Sequence, residues 1–395
     1  MAEEQTGARD FVGLLTANTV LGVAMPMLII LGGLAGLMLA PGKALATFPP
    51  SVQMLAGLAA AGPFSLLMGR LGRTAGFLLG GAIATLGGVI GTFALLQGSF
   101  LLLCLSHVFF GAALACYQYF RFAAAEVVPD RWQPVAISLM LTSGLVAALV
   151  GPQIFIATKD FFAPVPLAGA YAAISVVSLL GMIPLAIVRM PGGTAPGRGP
   201  RRAKVSAALR RGPVIKAVVI AGAAQGFMVL LMAPTPLAMI GCGLGETMAG
   251  DVIRWHVVAM FAPSFVTGFV IKRVGAQPVA LCGLALLGAS AAVAASGLSA
   301  LHFYLALILL GIGWNFGFIG ATAMLSSALA PEERAGVQGA NDTIVALAST
   351  VCAFASGAVV TGLGWISLNL IALPILICVI AGVLVFSRRK MAAEI

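Results

Sequence analysis

With 395 residues, of which 61% are hydrophobic and only 9% charged, the chain is too apolar for a soluble globular protein, in which about 25% of residues are charged. Its apolar residues run in continuous stretches instead of alternating with polar ones, which excludes a transmembrane β-barrel and predicts an all-α integral membrane protein. The six cysteines form no C-x-x-C motif, so neither a disulfide framework nor a zinc site is expected.

Twelve apolar stretches are long enough to cross a bilayer as helices, each of which needs about 20 mainly apolar residues. In chain order the predicted spans are 11–38, 45–68, 75–97, 99–126, 134–158, 165–190, 214–242, 249–271, 276–297, 300–328, 336–361 and 365–387. The polar N-terminus lacks the pattern of a cleaved signal peptide, so we expect the first span to be retained. The sequence predicts an N-terminal six-helix half at 1–190, a basic cytoplasmic linker at 191–213 and a C-terminal six-helix half at 214–395.

The basic residues lie mainly on one side of these spans. If both termini are cytoplasmic, the outer segments carry only Lys43, Lys159 and Arg254, while most of the other basic residues fall in the inner segments. This asymmetry follows the positive-inside rule and predicts a multi-pass protein of the bacterial inner membrane. It also accounts for the net charge of +10 without a nucleic-acid partner, with the basic linker lying near anionic lipid headgroups.

The two predicted halves resemble each other in sequence. The string MGRLGR at 68–73 matches IKRVGA at 271–276, and VVPDR at 127–131 matches LAPEER at 329–334. Parallel six-helix repeats around a central cavity are the plan of the major facilitator superfamily, which the chain resembles along its whole length. The resemblance implies the major facilitator fold.

One loop departs from the superfamily pattern G-x-x-x-D-R-x-G-R-[RK]. Arg70, Gly72 and Arg73 match it, but Gly69 replaces the acidic residue. The resemblance therefore implies that the salt bridge this acid normally makes is absent or replaced. We expect Glu126, further along the chain, to pair with nearby Arg131.

Two four-residue spacings in consecutive spans suggest a binding site. Met228 and Met232 in span seven, and His256 and Met260 in span eight, each lie one above the other on a helix. Thioethers and imidazole are ligands suited to Cu(I). Taken alone, the methionine pair is more typical of core packing than of ligation, whereas a histidine inside an apolar span is costly and marks a candidate functional site. Their depth near mid-membrane is typical of transporter sites, so the pattern favours a soft-metal site over packing.

Several strings then resemble the copper-acquisition-like branch of the superfamily, which includes copper importers: MVLLMAPTPLAM, WHVVAMFAPSFVTG, RFAAAE, GWNFGFIGAT and VQGANDT. The resemblance implies that Met228, Met232, His256 and Met260 match the metal motifs of those importers. It implies a secondary transporter that imports copper and supplies cytochrome oxidase assembly, with copper as substrate and no bound cofactor.

The branch also has relatives proposed to carry riboflavin, which leaves a riboflavin-like or drug-like organic solute as the alternative. Only 8% of residues are aromatic, which disfavours a stacked flavin. A non-transporting membrane sensor is a third hypothesis.

Further soft side chains are candidate entry or extra ligands: Met25, Met27, Met239 and Cys242. Arg121 and Asp342 are the clearest charges inside spans, so we expect them to pair between the halves as a gate, or Asp342 to titrate during proton coupling. A static structural pair is the alternative.

The chain contains no P-loop and no other enzymatic constellation, so we expect no enzyme activity. Transport would then run on ion gradients or the membrane potential. We expect the protein to act as a monomer in the lipid bilayer.

Overall fold

The computed structural model of the chain describes residues 2–42, 45–129, 133–188, 190 and 202–393. Regular structure within these ranges is entirely helical, which confirms the all-α fold class. The first eight helices are α1 (Ala2–Gly22), α2 (Ala24–Leu39), α3 (Phe48–Leu71), α4 (Arg73–Leu96), α5 (Phe100–Tyr117), α6 (Phe120–Glu126), α7 (Gln133–Thr158) and α8 (Ala168–Ile187). The remaining helices are α9 (Arg202–Leu209), α10 (Gly212–Met232), α11 (Thr235–Gly241), α12 (Glu246–Phe261), α13 (Ser264–Val274), α14 (Ala276–Ser296), α15 (Ala300–Ser327) and α16 (Pro331–Ala393).

In the described part of the chain, ten helical stretches are long and apolar enough to cross a membrane, and a shorter apolar stretch covers Thr142–Thr158. The longest, Gly336–Val385, contains a sharp break at Gly364. The φ of Gly364 is 84°, a left-handed conformation that glycine adopts without a steric penalty, and the break separates predicted spans eleven and twelve. All twelve predicted spans are therefore represented by apolar helix.

Several predicted spans are interrupted where the sequence suggested continuous helices. Span one consists of α1 and α2, which meet at Val23, and span four ends in the short helix α6. Spans seven and eight are broken at Pro234 and Pro263. Proline has no backbone N–H and its ring collides with the carbonyl four residues earlier, so the helix changes course at each of these points.

The chain divides into two compact units. The first comprises Met1–Gly197 together with Ala249–Arg254, and the second comprises Arg198–Met248 together with Trp255–Ile395. Of the predicted basic linker, 191–201 lies outside the described residues, and the remainder includes α9.

The first unit has a buried polar network in its core. His107 on α5 is fully buried, with its Nδ1 2.7 Å from Gln53 Oε1 and its Nε2 2.9 Å from the Tyr171 hydroxyl. Phe110 lies edge-on to His107 and parallel to Tyr171. Both ring nitrogens of His107 are therefore satisfied, and the network links α3, α5 and α8.

Candidate functional site

Two consecutive spans of the second unit are discontinuous at similar positions. Pro234 follows α10 directly after Met232-Ala233, and Pro263 follows α12 shortly after Met260. At both breaks the junction residues keep right-handed helical dihedrals, so each break is a kink at which proline removes one intrahelical hydrogen bond. Both predicted ligand pairs lie immediately before such a break.

Asn315 on α15 stabilises the break in span eight. Its buried side-chain amide donates to the Met260 carbonyl at 2.6 Å and to Ser264 Oγ at 2.7 Å. Its Oδ1 accepts a hydrogen bond from Thr267 Oγ1 at 2.6 Å. Asn315 thus bonds both to the end of α12 and to α13, and it fixes the position of Met260.

The four predicted metal ligands are all buried within the second unit: Met228, Met232, His256 and Met260. His256 has no solvent exposure, and its Nδ1 lies 2.7 Å from the Leu307 carbonyl. Because a carbonyl oxygen only accepts, Nδ1 carries the proton. The Nε2 of His256 is then an acceptor with no partner among the described residues. Metal-ligating histidines commonly have this arrangement, in which one nitrogen donates to a carbonyl and leaves the other free to bind.

Close helix packing holds the His256 pair against α15. A side-chain carbon on Gly311 would lie 2.6 Å from the His256 carbonyl oxygen and 2.9 Å from the Met260 nitrogen. The backbones of α12 and α15 are therefore in direct contact, and a residue larger than glycine at position 311 would displace the histidine.

The methionine pair reaches a similar depth from α10. Ala224 packs against Gly317, since a side-chain carbon on Gly317 would lie 3.0 Å from the Ala224 side chain. Met228 and Met232 lie about one and two helical turns beyond Ala224. If spans seven and ten run in opposite directions, as their order predicts, both methionines lie near the depth of Gly311. Convergence of the four ligands remains a prediction.

Among the described residues, no group of three or more His, Cys, Asp or Glu side chains lies close enough to hold a metal ion. A metal site in these parts of the chain would therefore depend on thioethers. Of the candidate extra ligands, Met27 and Met239 are fully buried, whereas Met25 and Cys242 are exposed. Met25 and Met27 belong to the first unit.

Of the two predicted gate residues, the structure describes the side chain of Asp342 alone. Asp342 is exposed and accepts a hydrogen bond from Asn341 Nδ2 at 3.3 Å. The side chain of Arg121, which belongs to α6, lies outside the described residues. Their pairing remains a prediction.

An ion pair occupies the loop that lacks its usual acid. Both carboxylate oxygens of Glu126 accept from Arg73, at 2.6 Å and 3.2 Å, and the expected pairing of Glu126 with Arg131 stays a prediction. Arg131 itself lies outside the described residues. Arg73 also lies over the Tyr119 ring, 6.0 Å from its centroid. Arg73 of this loop is therefore held by a salt bridge to α6 although position 69 carries no acid.

The sequence did not predict an aromatic cluster around Trp314 on α15. The rings of Trp314 and Phe318 stack at 5.2 Å with an angle of 10°, and Phe261 meets Trp314 edge-on at 6.2 Å. The indole Nε1 of Trp314 donates to Gln225 Oε1 at 2.6 Å. All four side chains are only half-buried. The four-residue spacing of Trp314 and Phe318 and the lone amide of Gln225 within span seven were the available sequence signals.

Comparison with known proteins identifies the family. The riboflavin transporter RfnT of Brucella anthropi is 36% identical over 393 residues, covering 99% of each chain. The chain belongs to the major facilitator superfamily. The family model of that superfamily matches residues 242–394. An uncharacterised major facilitator transporter of Bacillus subtilis, YdeG, is 30% identical over 81% of this chain and 77% of its own. The protein is thus a multi-pass membrane transporter and not an enzyme.

Solved structures support the major facilitator fold over nearly the whole chain. The POT family transporter PepTSo superimposes with a TM-score of 0.74 at 11% identity, covering 97% of this chain and 98% of its own. The nucleoside transporter NupG gives 0.70 at 12% identity, with 96% and 98% covered. A bacterial homologue of the iron transporter ferroportin gives 0.64 at 16% identity, with 97% and 99% covered. At these identities the likeness concerns the fold alone.

Proposed function

We propose that this major facilitator carries a planar aromatic solute of the riboflavin class across the bacterial inner membrane into the cytoplasm. It would act as a monomer, with both termini cytoplasmic and without a bound cofactor. The observation that carries the proposal is the half-buried Trp314 cluster, because it offers stacked aromatic surface beside the broken helices of spans seven and eight. The 36% identity to a riboflavin transporter over the full length supports the same solute class.

The chemistry of the cluster suits a flavin. The tricyclic ring of a flavin is flat and polarisable, and stacking of such a ring on an aromatic side chain contributes about 1–3 kcal/mol. Gln225 places an amide in the middle of a membrane span, where exposure to lipid would be unfavourable. A half-buried amide beside aromatic rings therefore favours a surface reached by water and solute. This cluster supplies the stacking partners that the low aromatic content had disfavoured.

The test is uptake of radiolabelled riboflavin by a riboflavin-auxotrophic bacterium that expresses the protein. Trp314→Ala removes the stacking surface and is expected to lower the rate of uptake about tenfold, while Trp314→Phe keeps a ring and should retain most of it. Phe269→Ala is the control, because Phe269 is 72% exposed and lies outside the cluster. Normal uptake by Trp314→Ala at a normal membrane level, or no uptake by the wild type, would refute the proposal.

Copper import is a second candidate, and one observation favours it. The buried Nε2 of His256 has no partner among the described residues, while Nδ1 is oriented by the Leu307 carbonyl. With Met260, Met228 and Met232 also buried in this unit, a soft cation could bind there as transported substrate. A monovalent cation would gain about 2.3 kcal/mol per 100 mV from an inside-negative potential.

Radioactive copper uptake tests this second candidate. His256→Ala and Met232→Ala should each abolish copper uptake. His302→Ala should not, because His302 is a half-buried residue at the start of α15 that bonds to Ser299. Wild-type copper uptake in both ligand variants would exclude the site, and absence of copper uptake in the wild type would leave riboflavin as the function.

A further inference from the structure

The hydrogen bond from Trp314 determines the orientation of the Gln225 side-chain amide. An indole N–H can only donate, so the atom 2.6 Å from Trp314 Nε1 must be the amide oxygen of Gln225. The NH2 group of Gln225 therefore points away from the indole nitrogen. With its oxygen held by Trp314, Gln225 can offer only its NH2 group, a hydrogen-bond donor, to a solute that approaches the amide from the side opposite the indole nitrogen.

These donor hydrogens have no acceptor among the described residues. The flanking residues of α10 make apolar or backbone contacts: Ala224 lies against Gly317, and Gly226 lies near Cys352. A half-buried NH2 group without an acceptor within a membrane span is unfavourable, so a polar group from outside the protein is expected to satisfy it.

From this geometry we infer that Gln225 determines solute specificity by donating to ring carbonyl groups of an aromatic solute stacked on Trp314. The inference rests on the proposed function and deepens it: the substrate class is a planar heteroaromatic ring with a dione edge, as a flavin has. A ring of equal size without carbonyl groups would stack on Trp314 but would leave the Gln225 hydrogens unpaired. Sites that pair a buried polar group with the solute reject analogues lacking that partner most strongly.

The experiment compares two tricyclic rings of similar size, lumichrome with a dione edge and phenazine without carbonyl groups. Equilibrium dialysis of each compound against the purified full-length protein gives the two dissociation constants. We expect the wild type to bind lumichrome at least about tenfold more tightly than phenazine. In Gln225→Glu, the carboxylate still accepts from Trp314 but the NH2 donors are gone, so this preference should fall to near unity while phenazine binding changes little.

Two further variants separate recognition from structural damage. Gln225→Met removes both donor and acceptor and should also lose the preference for lumichrome. Gln277→Met is the matched control, because Gln277 lies at the start of α14 and contacts Lys216; it should bind both compounds as the wild type does.

The inference is overturned if Gln225→Glu keeps the wild-type preference, or if it weakens lumichrome and phenazine equally, which would indicate a structural role. Absence of riboflavin uptake by the wild type would refute the proposed function alone, since the binding preference between the two rings is measured without transport.

Discussion

The two fully buried histidines of this protein occupy opposite chemical situations. In the first unit, both ring nitrogens of His107 have partners, Gln53 and Tyr171. In the second unit, His256 bonds only to the Leu307 carbonyl, and its Nε2 has no partner among the described residues. Burial alone therefore does not distinguish the two histidines, whereas the number of satisfied ring nitrogens does.

The aromatic residues repeat this contrast. In the first unit, Phe110 and Tyr171 are fully buried beside His107. In the second unit, Trp314 and Phe318 stack while only half-buried, beside the unpaired donors of Gln225. Both ring nitrogens of His107 are satisfied within the first unit, whereas Nε2 of His256 and the NH2 group of Gln225 have no partner among the described residues. This difference supports the proposal that side chains of the second unit contact a solute.

The largest expected effect comes from making the same substitution at both histidines. His107→Phe leaves the Gln53 and Tyr171 side chains buried without their partner, which should lower the free energy of unfolding by about 3 kcal/mol or more. His256→Phe removes one hydrogen bond to the Leu307 carbonyl, which also accepts within its own helix, and should cost about 1 kcal/mol of stability. Thermal unfolding of both purified variants in one detergent measures the difference. Equal losses of stability would remove the distinction between the two histidines.

An intermediate effect is expected at the break in span eight. Asn315→Leu preserves volume but removes the bonds to Met260, Ser264 and Thr267, and should destabilise the protein by about 2 kcal/mol. Transport should fall further than this loss of stability explains, because Met260 and its helix lose their fixed position. Thr350→Val serves as the control, since its hydroxyl bonds only within its own helix. Unchanged stability and transport in Asn315→Leu would show that the break does not depend on Asn315.

The smallest effect is expected at the Arg73–Glu126 ion pair of the first unit. The Glu126 side chain is 43% exposed, so Glu126→Gln should cost only about 0.5 kcal/mol of stability, and less at high salt. Thermal unfolding at low and high ionic strength checks both statements. A loss above about 2 kcal/mol would mean that this pair is far more important to the fold than exposed ion pairs usually are.

The helices were largely predictable because the signal for a membrane span is local. The predicted spans 276–297 and 300–328 correspond to α14 and α15 with ends that differ by one residue. The prolines at positions 234 and 263 are visible in the sequence, but they did not predict breaks in spans seven and eight, since proline also occurs within continuous membrane helices.

Pairings across the chain were not predictable in the same way. Glu126 binds Arg73, 53 residues away, a partner that nothing in the local sequence indicated. Trp314 and Gln225 are 89 residues apart, and no sequence motif around either residue indicates that the two side chains form a hydrogen bond. The low aromatic content argued against a stacked flavin. That argument was weak, because composition gives the number of aromatic residues and not which of them pack together in the fold.

The sequence by itself determined the membrane class, the twelve spans, the repeated halves and the soft side chains of spans seven and eight, because these depend on local hydropathy and helical spacing. Only the tertiary structure decided which polar groups are satisfied: both nitrogens of His107, one nitrogen of His256, and the oxygen but not the NH2 group of Gln225. Hydrogen bonding depends on the distance between atoms of different helices, which no single segment of sequence specifies.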